Sequence, residues 1–196
     1  MGTASNQAPD VTEIRAFLSI DDEGDFAYHQ SEEAMLASFE YVSEAACIID
    51  PAGTQYRLSL DSARRLRLSP GLGKVDGSWL KQAWFTALRT HSQEHRVRRL
   101  LPTDPDAMLA ELLEVLALEQ GIREPGASWR ITAAGVTEMA PTMAEVDRRM
   151  SELRHHEGLR VQDPRGHIYR PEWLHQHLNP GKPFYVELPV TSRSNN

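Results

Sequence analysis

Cysteine is almost missing from this chain: Cys47 stands alone among 196 residues. A single thiol makes no internal disulfide, which excludes a disulfide scaffold and points to a reducing compartment. The chain is long enough to bury a core without such staples. Long hydrophobic runs are also missing. The stretch Ala45 to Ile49 is typical, far short of the roughly 20 apolar residues of a membrane span. No CxxC pair and no HExxH occurs, which removes the commonest zinc signatures. Gly71-Leu72-Gly73-Lys74 lacks the GxxxxGK[ST] spacing of a phosphate loop. No Ser/His/Asp arrangement is identifiable by motif, and Cys47, set in an apolar run, reads as a buried structural thiol. Residues 1–12 lack the basic and apolar regions of a signal peptide. They and residues 190–196 read as flexible tails, and the expected location is cytoplasmic.

What is present is charge, unevenly placed. The net charge is -7, yet residues 1–61 carry twelve acids against Arg15 and Arg57, and residues 62–101 carry nine bases against Asp76 and Glu94. Such blocks often mix in space as solvated faces. The alternative is an acidic N-terminal surface that steers a basic partner.

Local signals predict an α+β chain. Ile14 to Ile20 and the run around Phe26 and Tyr28 flank Asp21-Asp22-Glu23-Gly24, a hairpin pattern. Ser31 caps a helix through Met35, Leu36, Phe39 and Val42, with Glu32 and Glu33 in its first turn. Cys47 to Ile49, the turn Asp50-Pro51-Ala52-Gly53 and the alternating Gln55 to Leu60 form a second hairpin. The middle is read as helical. Ser78 is the expected cap of a buried helix carrying Trp79, Leu80, Ala83, Trp84, Ala87 and Leu88. Thr103-Asp104-Pro105 starts another helix that buries Met108, Leu109, Leu112, Leu113 and Leu116 and stops at Gly121.

The C-terminal third repeats the opening. A hairpin around Ala134-Gly135, a helix capped by Thr142 with Glu145 as its capping-box partner, and a hairpin through Asp163-Pro164-Arg165-Gly166 follow in order. A last strand spans Phe184 to Leu188. Asp50-Pro51-Ala52-Gly53-Thr54-Gln55-Tyr56-Arg57 matches Asp163-Pro164-Arg165-Gly166-His167-Ile168-Tyr169-Arg170 at Asp, Pro, Gly, Tyr and Arg. Either generic turn chemistry is reused, or the chain holds a structural repeat. The expected fold is α+β, with two ββαββ-like units (13–61 and 127–189), antiparallel sheets and a helical middle (62–126), packed as one compact domain.

Candidate site residues fall into two groups. His155, His156, His167, His175 and His177 crowd the C-terminal segment, but metal sites need ligands at defined spacing. Surface histidines are the competing reading. His91 and His95, four apart, share a face if helical. Arg96, Arg98 and Arg99 with Arg64, Arg65, Arg67 and Lys74 suggest a phosphate-binding patch. A pI near 5.6 argues against general nucleic-acid binding, and pairing with the acidic first unit is preferred.

Gly24-Asp25-Phe26, Ser31, the helix through Tyr41, and Asp50 to Gly53 before an alternating strand resemble small uncharacterised bacterial proteins of the immunity-protein type. Proteins of that type neutralise secreted toxins, so the resemblance implies binding rather than catalysis. The leading expectation is a non-enzymatic, cofactor-free protein whose surface of Asp21, Asp22, Glu23, Asp25, Glu32, Glu33 and Glu40 contacts a protein with a basic surface, such as a basic nuclease. The alternatives are a metal-binding protein or hydrolase using the C-terminal histidines, and a homodimer through the Trp79 and Trp84 helix.

Overall fold

The computed structural model describes residues 16–122, 126–154, 156–173 and 181–189. Its strands are β1 (Phe17–Asp21), β2 (Phe26–His29), β3 (Ala45–Ile49), β4 (Gln55–Tyr56), β5 (Leu58–Leu60), β6 (Leu66–Leu68), β7 (Val97–Arg98), β8 (Trp129–Ala133), β9 (Val136–Ala140), β10 (Arg160–Gln162), β11 (Ile168–Glu172) and β12 (Phe184–Glu187). Its helices are α1 (Glu32–Ala37), α2 (Gly77–Thr90), α3 (Pro105–Glu119) and α4 (Met143–Leu153).

Among the described residues one five-residue turn closes four hairpins, and an aspartate holds each. In Asp21–Asp25, Asp50–Thr54, Asp61–Arg65 and Asp163–His167 the aspartate N–H donates to the carbonyl of the fifth residue at 2.9–3.1 Å. The fourth residue donates back to the aspartate carbonyl, and aspartate Oδ1 accepts the fifth residue's N–H at 2.8–3.0 Å. The fourth residue has positive φ: Gly24, Gly53 and Gly166 in three turns and Arg64 in the other. This is a type I turn followed by a left-handed bulge residue. Asp-Pro-x-Gly is thus one spelling of a turn the chain also makes without proline.

The likeness of the two ends lies in strand order. The first sheet runs β2-β1-β3-β4, and four strands of the second run β9-β8-β10-β11. The second sheet continues to β12 and β7, and β7 pairs parallel to β12. It is therefore mixed, not antiparallel as expected. The middle is not purely helical either: β6 pairs with β5, and β7 completes the second sheet.

Registers show how the two sheets are used. Leu18 faces Ile49 and Ile20 faces Cys47 in the first; Arg130 faces Gln162 and Thr132 faces Arg160 at the matching places in the second. The apolar set is buried against the central core, whereas its counterparts form a polar outer face. On the other side of each sheet lies its own helix. Met35 of α1 packs with Phe17 and Ile48, and Val146 and Met150 of α4 join the cluster of Trp129, Ile131, Val161 and Tyr169.

α3 is buried on nearly every side, through Met108, Leu109, Leu112, Leu113, Val115, Leu116 and Leu118. An all-round apolar helix belongs at the centre, and α3 packs against β2 and shares one core with both sheets. Asp104 caps it, Pro105 opens it, and Gly121 ends it in the left-handed conformation. α2 is capped by Asp76, not Ser78, and leaves Trp79 and Phe85 exposed while Leu80, Trp84 and Ala87 go inward. α1 is shorter than the periodicity predicts. The Ser38 hydroxyl donates to the Met35 carbonyl at 2.7 Å, a local bond that competes with helix extension, and Val42 lies in a separate 3-10 turn. No helix among the described residues is long and apolar enough to cross a membrane.

Candidate functional site

β7 seats on the edge of the second sheet, and the residue after it, Arg99, turns into the interior with a fully buried side chain. Its Nε donates to the Tyr169 hydroxyl at 2.7 Å, one Nη to Asp163 Oδ2 at 2.5 Å, and the other to Glu114 at 2.6 Å and to Glu111. Tyr169 donates in turn to Asp163 Oδ2 at 2.6 Å. Burial works against the Arg99 charge, but Tyr169, Glu111 and Asp163 outweigh it, and the guanidinium stays more basic than usual. Burial, then the Asp163 charge, pushes the Tyr169 phenol upward and keeps it a donor. The equivalent Tyr56 donates to Asp50 Oδ2 at 2.9 Å, so both matching octets hold a Tyr-Asp latch. Arg99 is added only in the second, where it ties the hairpin to α3.

Outside this latch stands His167. Its Nδ1 meets Glu187 Oε1 at 2.8 Å, and its Nε2 lies 4.0 Å from Glu114 Oε1. Leu100 N–H holds the other Glu187 oxygen at 2.7 Å. His167 and Glu187 border an open groove of about 790 Å³ on the polar outer face, lined also by Thr132, Arg160, Gln162 and Ile168.

A second buried cluster joins the first sheet to α3. His95 contacts Glu119 through Nδ1 at 3.0 Å and Asp25 through Nε2 at 2.8 Å. Phe26 and Trp84 cover its ring. Burial disfavours the His95 charge, but Glu119 and Asp25 prevail and raise its pKa. Glu119 also accepts the N–H groups of Arg96 and Val97. Arg96 forms a bidentate pair with Asp147, which accepts from Tyr185 at 2.7 Å. Burial and the Asp147 charge hold the Tyr185 phenol protonated.

These contacts revise the expected groupings. Arg96 and Arg99 are interior, not a phosphate patch, and they pair with α3, α4 and the second unit rather than the first. His91 caps α2, and His95 lies beyond it, so they share no helix face; His91 Nε2 meets the Glu23 carbonyl oxygen at 3.3 Å. Among the acids, Asp21 holds its turn and Asp25 holds His95 and its own strand. Asp22, Glu23, Glu32, Glu33 and Glu40 are exposed. Of the histidines, His167 is in the latch region and His156 is exposed; His155, His175 and His177 lie outside the described residues. Cys47 is buried, and burial raises its thiol pKa.

Sequence reasoning did not single out Glu111 and Glu114. The available signal was two acids three residues apart on an otherwise apolar helix, a spacing that puts both on one face. No protein-family model, curated protein or solved structure matches this chain.

Proposed function

We infer that this is a non-enzymatic binding protein that offers the α1 side of its first unit to a protein with a basic surface, in the manner of an immunity protein acting on a basic toxin. The observation that carries this reading is the division of labour among the acids. Asp25, Glu111, Glu119, Asp147 and Asp163 are bound to buried cations or to His95. Asp22, Glu23, Glu32, Glu33 and Glu40 instead face solvent, and so do Tyr41 (65% exposed) and Val42. The hairpin tip reaches this patch directly, since Asp22 N–H donates to the Glu44 carbonyl at 3.2 Å. An exposed tyrosine within a charged rim is the composition of an interface anchor. The matched sheet orders support reading the chain as two copies of one ββαββ unit, of which the first keeps the acidic face. A cytoplasmic protein with its single thiol reduced fits this role.

Affinity capture on the immobilised chain from a lysate of its source organism tests the reading. A basic protein retained at low ionic strength and released as salt rises is expected, because screening weakens exposed charge pairs. Retention of no basic protein at any salt concentration contradicts it.

A further inference from the structure

We propose that Glu111, Glu114 and His167 bind one divalent transition-metal cation of the zinc or cobalt class beside the groove of the second sheet. The proposal does not depend on the partner-binding reading. One donor atom from each of the three side chains lies within 4.8 Å of the others, and all three are partly open to solvent, with side-chain exposures of 20%, 27% and 30%. α3 supplies both carboxylates from one face because they are three residues apart. The turn fixes the third donor: His167 N–H is held by Asp163 Oδ1 at 3.0 Å.

The orientation of His167 distinguishes this place from a chance acidic cluster. Glu187 takes Nδ1 and is itself anchored by Leu100 N–H, so Nε2 is turned toward Glu114. A carboxylate behind one imidazole nitrogen, with the other left for the ion, is the usual support of a metal-binding histidine. Charge points the same way. Four carboxylates (Glu111, Glu114, Asp163 and Glu187) meet two guanidiniums, Arg99 and the half-exposed Arg165. The excess of two negative charges, three once Arg165 moves aside, favours a divalent cation. Arg99 donates to Oε1 of each glutamate, in Glu114 the same oxygen that lies 4.0 Å from His167 Nε2, and each carboxylate keeps further lone pairs for an ion. Arg165 Nε stands 3.7 Å from Glu114 Oε2 and has to swing outward. Two carboxylates and one imidazole leave a fourth coordination position open, as in zinc sites with three protein ligands.

The test uses the whole chain, stripped of metal by a chelator that is then removed. Zinc is titrated by calorimetry and cobalt by visible absorption. One equivalent is expected to bind and to raise Tm, since a ligand of the native state stabilises it. H167Q leaves the Arg99 contacts in place and is expected to keep the metal-free Tm while weakening binding by about tenfold or more. E114Q is expected to weaken binding similarly, and H156Q to bind like the wild type. A combined H155Q/H175Q/H177Q variant is expected to retain the site. Absence of binding overturns the proposal, as does undiminished binding by H167Q. Loss of binding in the triple-histidine variant alone overturns it as well, by placing the metal elsewhere.

Discussion

At the scale of single residues, the interior holds buried cations paired with carboxylates that are themselves buried or partly exposed. Arg99 meets three carboxylates and a phenol with its side chain wholly buried. Arg99→Met therefore leaves Asp163 buried without its cation, and is expected to cost about 3–5 kcal/mol, read from urea midpoints. A loss below about 1 kcal/mol, the ordinary worth of an exposed pair, would contradict the latch. Two histidines give opposite pH signatures. Burial depresses the pKa of His29, whose Nε2 meets Ser19 Oγ at 2.8 Å. The stability it contributes is present above the unfolded value of 6.5 and is lost as pH falls through the folded one. His95 is shifted upward, so its contribution is complete below 6.5 and is lost as pH rises through its folded value. Unfolding free energies measured from about pH 5 to about pH 8 are expected to lose part of their acid-side decline in H29Q and part of their alkaline-side decline in H95Q. Unaltered profiles in both would show that neither shift is coupled to folding.

At the scale of elements, the recurring unit is the aspartate turn. Three of its four copies carry glycine at the left-handed position and were readable as turns from the sequence. The copy at Asp61 was hidden because Arg64 stands there with φ 60, where a residue with a Cβ is strained by roughly 1–2 kcal/mol. Arg64→Gly is expected to stabilise the chain by up to about 1 kcal/mol, the gain offset in part by the looser unfolded chain. A destabilised variant would show that the arginine side chain does more than close the turn. Helix ends were legible where capping chemistry was unambiguous, as at Ser31, Asp104 and Thr142. The end of α1 was not, because Phe39 and Val42 continue the apolar spacing after Ser38 has diverted the Met35 carbonyl. β7 is two residues long in an arginine-rich run, and so short a strand has no period to detect.

At the scale of the whole molecule, the likeness of the two ends was legible in one octet, and the strand orders extend it to the four strands of the first sheet and four of the six in the second. What the octet did not carry is the contrast between the sheets. Arg130, Thr132, Arg160 and Gln162 stand where the first sheet has Leu18, Ile20, Cys47 and Ile49, and only the first sheet has that face covered by the central core. The charge blocks were legible as composition but not as geometry. A run such as Arg96 to Arg99 reads as surface until its carboxylate partners, 51 and 64 residues away for Asp147 and Asp163, are brought beside it. The same sorting leaves Asp22, Glu23, Glu32, Glu33 and Glu40 exposed, and the proposed partner binding rests on these acids. Its most direct test is to repeat the affinity capture with a charge-reversed variant, E32K/E33K/E40K, whose three positions are all exposed. The basic protein held by the wild type is expected to be lost while Tm falls by only a few degrees, the cost of replacing two acids in the first turn of α1, and equal capture by the two proteins would contradict the proposed binding face.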